Sequence, residues 1–532
     1  MVITTPTHYS NLPLSGPSAP ALPGNSASNP ITIKVPPLKY SIARFTPQSK
    51  LTPDQHYVEK QPNYTNSTSL FNDRNVKITH NTTWETAPND NKAVISRNNV
   101  VLIETGEKAD TIKVSQPSNN EIHLKINNSH YKLLIDNHDT HPEELHIKAN
   151  GGDDRIRVDP RVSVSITIEG GKGRDWIEAL GSGETAVYGG AGNDHITLGS
   201  GNSYAEGNDG NDTMKGGTGN TAMYGNNGND VMHSGPGSKG TFSYMDGGNG
   251  NDSMVSTAPL NVMHGGNGND WMYNKKVQTT FYPGRGRDTV ISTHANDHVY
   301  HKTGDAVNLL AGGKATQVSI SNAGHKGLKI DGSERFTQQI QDELEFYRNS
   351  PAARNMLVEL DRAAERNGSP ITIEETTGNP NYSYRNDFTR EHDRQLKDYD
   401  ELKESPLLGF IHGNTPGSVA TGAKIYHNSR RIFLSPSAFN LFHELRHGHD
   451  GANGLFQPGK TNGEPNSERQ AVGLKINTPA SARPIPPHLG PRGPLNENAL
   501  NRETGFPQRT FVYLPHEDDL PGAQVSGSGS TP

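Results

Sequence analysis

The chain has 532 residues, of which 31% are hydrophobic, 57 are Gly and none is Cys. The length predicts a multidomain protein, and the formal net charge of −7 excludes a basic footprint for nucleic acid. No apolar run is long enough to cross a membrane, and an exported protein without disulfides needs another means of stabilisation, such as a bound metal.

The first 75 residues are rich in Pro, Ser, Thr and Asn and show little hydrophobic periodicity. Such a segment buries too little apolar surface to offset its ordering entropy, so we predict a disordered segment over residues 1–75. It lacks the basic-then-apolar form of a cleaved signal peptide. An unfolded, Ser-rich N-terminus is also typical of a type III export signal. A second disordered tail is predicted over residues 516–532.

Short alternating apolar runs from about residue 95 predict strands, and a repeat then emerges. The unit GGxGxDxUx, in which U is a bulky apolar residue, begins at Gly170 and again at Gly189. Two nonapeptides make 18 residues, which is one turn of a two-sided solenoid. Spaced by 19, 18, 18, 22, 18 and 18 residues, the aspartates of the repeats are Asp175, Asp194, Asp212, Asp230, Asp252, Asp270 and Asp288.

Two apolar series run through the repeats in register. The U positions are Ile177, Ile196, Met214, Met232, Met254, Met272 and Val290. Midway between them lie Val187, Ala205, Met223, Met245, Met263 and Phe281. Both series contain one interval of 22 residues, which predicts a single insertion around residues 235–240. Both should point inward as stacked ladders, and only the edge that carries the aspartates should bind metal.

These repeats resemble the RTX (repeats-in-toxin) calcium-binding family. The resemblance implies Ca²⁺ ions held between neighbouring turns by backbone carbonyls and the seven Asp carboxylates, at about six shared sites. Asn208 and Asn226 replace the second glycine, which is a mild change because Asn tolerates positive φ, whereas Pro283 replaces the first glycine of the last unit. We predict a parallel β-roll over residues 95–295, with full motifs at 170–291 and a cap or connector at 296–333.

The remainder, residues 334–515, is predicted to be an α+β zincin-like domain. Helical spacing extends over residues 334–366, a strand follows at 371–373, and strands at 423–426 and 431–434 precede the motif HELRH at 443–447. On a helix, HExxH places His443 and His447 on one face with Glu444 beside them, which is the geometry of a zinc-activated water.

A zincin needs a third protein ligand and leaves the fourth position to water. The extended motif HExxHxxGxxH is absent, because Asp450 and Asn453 stand where it has Gly and His. A carboxylate on a returning helix is the alternative. We favour Glu468 over Glu464, with His449 and Asp450 less favoured.

The HELRH helix, residues 468–474 and the closing stretch 496–510 resemble the NleD-type effector metallopeptidases. The resemblance implies His443, His447 and Glu468 as zinc ligands and Glu444 as general base. It also makes residues 509–513 contributors to the site. Tyr513, Arg509 or His488 would then donate to the oxyanion.

The sequence therefore predicts a secreted, calcium-binding zinc metalloendopeptidase, a bacterial effector or toxin-like protein that cleaves host proteins. It implies Zn²⁺, several Ca²⁺ ions, a protein substrate and an export machinery. RTX repeats indicate type I export, whereas the N-terminus and the peptidase resemblance favour type III. The alternative is a calcium-binding RTX surface or adhesion protein with an inactive peptidase-like domain.

Overall fold

The computed structural model describes residues 31–34, 63–73, 75–87, 90–134, 144–319, 321–376, 381–386, 405–412, 415–429, 436–476 and 495–510. Within these ranges a long two-sheet β-roll is followed by a helical domain that packs against the roll. No helix in the described part of the chain is long and apolar enough to span a membrane.

The strands fall into three groups along the chain. The first group is β1 Ile31–Lys34, β2 Asn63–Asn72, β3 Lys77–Ala87, β4 Asp90–Glu104, β5 Thr111–Ser118, β6 Glu121–Ile126 and β7 Ser129–Leu134. The parallel coils comprise β8 Glu144–Lys148, β9 Arg155–Val158, β10 Ser165–Lys172, β11 Trp176–Ala179, β12 Thr185–Ala191, β13 His195–Leu198, β14 Ser203–Asp209, β15 Thr213–Lys215, β16 Thr221–Asn227, β17 Val231–His233, β18 Phe242–Asp246, β19 Ser253–Ser256, β20 Leu260–His264, β21 Trp271–Asn274, β22 Gln278–Tyr282, β23 Thr289–Ser292, β24 His298–His301, β25 Ala306–Leu309 and β26 Lys314–Gln317. The last group is β27 Leu328–Asp331, β28 Ile371–Glu375, β29 Asn381–Ser383, β30 Lys424–His427, β31 Lys460–Thr461 and β32 Glu464–Pro465.

In the described ranges the roll consists of two sheets of 13 strands each, and from β8 onward successive strands alternate between the two sheets. From β8 to β26 every neighbour pairs in parallel, so residues 144–317 form the predicted β-solenoid. Ile177 pairs with Ile196 in one sheet and Val187 with Ala205 in the other. All the residues of both predicted ladders are fully buried, which confirms that both series point inward.

The two long edges of the roll differ chemically, as the sequence indicates. On the edge without aspartates, the hydroxyls of Thr185, Ser203 and Thr221 donate to backbone carbonyls of their own turns. The insertion lies between β17 and β18, where Gly235 and Gly237 adopt φ of 73° and 60°. Because it forms a surface turn, the ladders on either side of it stay in register.

The roll extends beyond the range predicted for it. β1 and β2 lie within the segment predicted to be disordered, and β24 to β26 lie within the predicted connector. At the upstream end, β2, β3 and β4 pair antiparallel and continue the second sheet through β8. A strand added to an existing sheet edge takes its hydrogen bonds from its neighbour and needs no core of its own, so composition alone does not reveal it.

In its described residues the C-terminal domain combines five α-helices with a four-stranded sheet in the order β27-β28-β30-β29. A 3₁₀ turn occupies Pro406–Leu408, and the helices are α1 Glu334–Asn349, α2 Pro351–Asn367, α3 Ser437–Asn453, α4 Asn466–Val472 and α5 Glu497–Thr504. The predicted helix at 334–366 is divided at Ser350, which ends α1 and whose hydroxyl caps α2. Residues 430–435, which include the whole of the strand predicted at 431–434, lie outside the described residues.

Aromatic side chains join the roll to the helical domain. Tyr188, Tyr204, Tyr224 and Tyr244 follow one another on the outer face of the second sheet, with successive ring centroids 5.9, 5.5 and 5.6 Å apart. Phe346 of α1 packs edge-on against Tyr244 at 5.8 Å. The tyrosines share one hydrophobic core with α1, α2 and α3, so the outer face of this sheet is the floor of the helical domain.

Polar contacts fix how the helical domain sits on the later coils. The Tyr282 hydroxyl donates to Glu503 of α5 at 2.9 Å. Arg285 donates to Glu345 of α1 at 2.6 Å. Both helices are therefore attached to the same coil of the roll.

Phe346 is fully buried at this junction, and we expect Phe346→Ala to lower the free energy of unfolding of the helical domain by about 3–5 kcal/mol. The loss follows from the cavity left between α1 and the tyrosines. It would be measured from the helical circular dichroism signal in urea, with calcium present. Leu310→Ala is the control: Leu310 is 71% exposed, so its truncation should change the free energy by no more than about 0.5 kcal/mol.

Candidate functional site

The aspartates of the repeats form one continuous file along an edge of the roll. One carboxylate oxygen of each, Oδ1, accepts the backbone N–H of the aspartate one coil earlier, at 2.7 to 3.0 Å. The accepting residues are Asp175, Asp194, Asp212, Asp230, Asp252, Asp270 and Asp288. The structure therefore brings all seven predicted calcium residues onto one edge.

The second carboxylate oxygen lacks a partner along most of this file. Among the described residues, Oδ2 is buried without a hydrogen bond in Asp154, Asp175, Asp194, Asp212, Asp230, Asp252 and Asp270. A side chain on Gly189 would place its Cβ 2.4 Å from Asp194 Oδ2 and 2.8 Å from the Gly207 carbonyl oxygen of the next coil. Glycine thus leaves a carboxylate and a carbonyl oxygen close together, and such oxygen ligands suit Ca²⁺.

Burial makes these carboxylates unfavourable as isolated anions. It raises the pKa of Asp212 to about 6, of Asp194 and Asp252 to about 7, and of Asp230 and Asp270 to about 8, although the accepted N–H lowers each pKa in part. A divalent cation removes the cost by supplying the missing positive charge. The residues present therefore fit the calcium ions that the repeats imply.

The ends of the file depart from this pattern. Asp154 has the unpartnered oxygen, but Ala149 stands where the next coil has Gly170. Asp288 has no unpartnered oxygen, because Lys302 Nζ lies 2.8 Å from its Oδ2. Inside the file, Asn208 and Asn226 stand in place of glycine and adopt φ of 75° and 70°, so the turns keep the positive φ that glycine has there.

The second site is built on α3, which carries the HELRH motif. The helix ends at Gly454 in the left-handed conformation, with φ of 64°. A Cβ on Gly451 would lie 2.1 Å from the Tyr382 hydroxyl oxygen, and one on Gly448 would lie 2.8 Å from Ile371 Cδ1. Glycines on this face therefore allow α3 to lie directly against the sheet. This contact sets the orientation of α3 and so the direction in which its opposite face points.

Three donor atoms converge between α3 and α4. The Nε2 atoms of His443 and His447 lie 3.2 Å apart. Each is 3.3 Å from an oxygen of Glu468, His443 from Oε2 and His447 from Oε1. A tetrahedral ion with bonds of about 2.0–2.1 Å separates its ligand atoms by about 3.3 Å, so the spacing fits zinc. In the described part of the chain these are the one set of three His, Asp or Glu side chains whose ligand atoms all lie within 4.8 Å of one another.

The other residues considered as third ligand are engaged elsewhere. Glu464 pairs with Arg469. Asp450 accepts from Arg446 at 2.8 Å and lies 3.1 Å from His449. Of the four candidates for the third ligand, Glu468 is the one that the structure places beside His443 and His447.

The electrostatics of the group favour a bound cation. Burial lowers the pKa of His443, but its hydrogen bonds to the Glu468 and Glu497 carboxylates outweigh burial and raise the pKa to about 10. Burial raises the pKa of Glu468, but His447 and His443 lower it well below its usual value. The surroundings therefore stabilise positive charge between these side chains, which is a property of a metal site.

Glu497 is a residue of this site that sequence reasoning did not assign. It begins α5, is 2% exposed and accepts from His443 Nδ1 at 3.1 Å. Arg509 donates to the same Glu497 oxygen at 2.8 Å. Arg509 thus reaches His443 only through Glu497, and its predicted part in catalysis stays a prediction. Tyr513 and His488 lie outside the described residues.

Two family models match the chain. The model described as Effector protein, Peptidase M91, matches residues 324–511. The model described as RTX calcium-binding nonapeptide repeat (4 copies) matches residues 186–205, 206–238 and 246–274. None of the curated proteins or solved structures compared with the chain matches it.

Fold and sites together define a calcium-binding effector with a domain of a peptidase family. More specifically, the chain combines RTX calcium-binding repeats with an NleD-like Peptidase M91 effector domain. Both resemblances identified in the sequence are thereby confirmed.

We expect the calcium-free roll to be more stable in acid than in mild alkali. The pKa values of Asp194, Asp230 and Asp270 in the folded roll are about 7, 8 and 8, above the ordinary value of 3.8. The folded state therefore holds protons that the unfolded state releases, so stability is fully present below pH ~4 and is lost as pH rises through about 7 to 8.

Circular dichroism of metal-stripped protein at pH 5 and pH 8.5 tests this expectation. The strand signal should be stronger at pH 5, and millimolar calcium should restore it at pH 8.5. A calcium-free roll that is equally folded at both pH values, or better folded at pH 8.5, would contradict it. Calcium-loaded protein at both pH values is the control for effects outside the aspartate file.

Proposed function

We propose that the protein is an exported, calcium-binding zinc metalloendopeptidase, a bacterial effector that cleaves host proteins. The observation that carries the proposal is the convergence of His443, His447 and Glu468 donor atoms at 3.2 to 3.3 Å, beside a glutamate on the same helix. His443, His447 and Glu468 would hold the ion and leave a fourth position for water.

A zinc ion in this position supplies a Lewis acid, which lowers the pKa of a water molecule toward ~7 and polarises the scissile carbonyl. Glu444 follows His443 on α3 and is 9% exposed. Burial raises the pKa of Glu444, while His443 and His447 oppose the rise. A carboxylate with a raised pKa is suited to take a proton from water and pass it to the leaving amine.

Glu497 is proposed to position His443. A carboxylate on Nδ1 holds that nitrogen as the donor and leaves the Nε2 lone pair for the metal. Arg509 compensates the charge of Glu497 and keeps it in place. Tyr513, Arg509 or His488 is proposed to stabilise the oxyanion, and for Arg509 the contact with Glu497 favours the positioning role.

Calcium supports the proposal of export. A cytosol with ~10⁻⁷ M calcium leaves weak sites empty, whereas millimolar calcium outside the cell fills them. Binding to the folded roll alone stabilises it by mass action. The roll would therefore fold after leaving the producing cell, and an unfolded chain is the form that an export channel accepts.

We expect Glu444→Gln to lower kcat by about 10²–10⁴-fold, because the variant keeps the metal ligands but cannot take up a proton. Proteolysis would be measured on casein and on host-cell lysate, with zinc content determined for each preparation. The variant should retain one zinc ion for each chain, which separates loss of the base from loss of the site.

Equal proteolysis by the parent and by Glu444→Gln, at equal zinc content, would contradict the proposal that the protein is a zinc metalloendopeptidase. The chain would then be a calcium-binding RTX surface or adhesion protein with an inactive peptidase-like domain.

Glu497→Gln should weaken zinc binding by about 10–100-fold, because the amide lacks the charge that orients and polarises His443. Affinity would be measured by competition with a chelator, and the absorption spectrum of the cobalt-substituted protein would report a changed ligand field. Glu464→Gln is the matched control, since Glu464 pairs with Arg469 and should leave affinity unchanged. Equal affinities for the two variants would exclude the positioning role.

A further inference from the structure

The coil that follows the last aspartate of the repeats has lost the glycine motif. Residues 300–305 read YHKTGD in the place of GGxGxD. Tyr300, His301 and Thr303 stand at the three glycine positions, and Asp305 keeps the position of the aspartate. The match to the RTX repeat model also ends before this coil, at residue 274. Asp288 therefore faces a coil of different chemistry from those faced by the other six aspartates.

Lys302 of this coil points back onto Asp288. Its Nζ donates to Asp288 Oδ2 at 2.8 Å, to the Gly284 carbonyl at 2.6 Å and to Asp305 Oδ1 at 3.0 Å. The Lys302 side chain is 15% exposed, and those of Asp288 and Asp305 are fully buried. The ammonium group thus uses all three of its N–H donors on one carbonyl and two carboxylates.

This arrangement satisfies the atom that remains unpartnered elsewhere in the file. Oδ2 of Asp270, one coil earlier, is buried without a hydrogen bond within the described ranges. At Asp288 the same atom lies 2.8 Å from the ammonium group of Lys302, which belongs to the chain itself. A Ca²⁺ ion here would have to displace an ammonium group that is held by the chain itself, at high effective concentration, and would be repelled while both were present.

We propose that Lys302 is a tethered cation which takes the place of calcium at Asp288. The calcium file then ends at Asp270, and the final coil of the series closes without metal. This inference concerns the roll alone and does not depend on the proposed peptidase activity.

The Lys302–Asp288 contact lies next to the coil that joins the roll to the helical domain. The coil between Phe281 and Asp288 carries Tyr282 and Arg285, which contact Glu503 of α5 and Glu345 of α1. Closure by Lys302 would keep this coil in place when calcium is scarce. The attachment of the helical domain would then persist while the upstream coils loosen.

The number of calcium ions bound to the full chain tests the proposal directly. Equilibrium dialysis with radioactive calcium would compare the parent with Asp270→Asn, Asp288→Asn and Lys302→Met. We expect Asp270→Asn to bind at least one ion fewer, Asp288→Asn to bind as many as the parent, and Lys302→Met to bind one more. Lys314→Met, which removes an exposed lysine of β26, should leave the number unchanged.

The proposal is overturned if Asp288→Asn loses an ion as Asp270→Asn does, or if Lys302→Met binds no more calcium than the parent. Hydrogen exchange after calcium removal gives a second readout that does not require an altered ion count. Amides of residues 280–305 should stay protected in the parent while those of 190–215 exchange, and Lys302→Met should abolish the difference. Equal exchange of both segments in the parent would refute closure without metal.

Discussion

The row of buried carboxylates along one edge of the roll is the constraint on which the rest of the molecule depends. From Asp175 to Asp270, each aspartate of the file uses one oxygen to hold the neighbouring coil, and its other oxygen is buried without a partner among the described residues, as in Asp230 and Asp252. Burying a carboxylate without compensation is costly. Because each coil contacts only its neighbours, the cost recurs at every turn, and a file of cations can remove it at every turn.

The same roll supports the peptidase-family domain, so the two sites are mechanically connected. Phe242 of the roll packs on Phe506 at 5.0 Å, and Phe506 stacks on Phe439 of α3 at 4.7 Å. Phe439 lies one turn before His443 on α3. The helix that presents the histidines is therefore seated, through two aromatic contacts, on β18 of the calcium-binding roll. Unfolding of the roll would remove the floor of the proposed zinc site.

The repeat predicted the interior of the roll, because the 18-residue spacing of its apolar residues recurs along the sequence. It did not reveal what covers the outer face. Tyr204 and Tyr224 are placed outside by the same alternation, but nothing near them in the sequence indicates that α1 packs there. The candidate metal site was likewise predicted only where its residues are close in sequence. His443 and His447 share one helix, whereas Glu497 is 54 residues from His443 and reaches it only through the tertiary fold.

The two sites offer different ligand atoms and would therefore select different metals. The edge of the roll offers carboxylate and carbonyl oxygens to hard cations, while His443 and His447 offer imidazole nitrogens, which zinc prefers. Loss of calcium would therefore act on the proposed zinc site through structure and not through exchange of ions. A protein that works where calcium is ~10⁻⁷ M must then hold at least the coil beneath α1 and α5 by other means. Lys302, bonded to Asp288 and Asp305 at that coil, is a group able to do so.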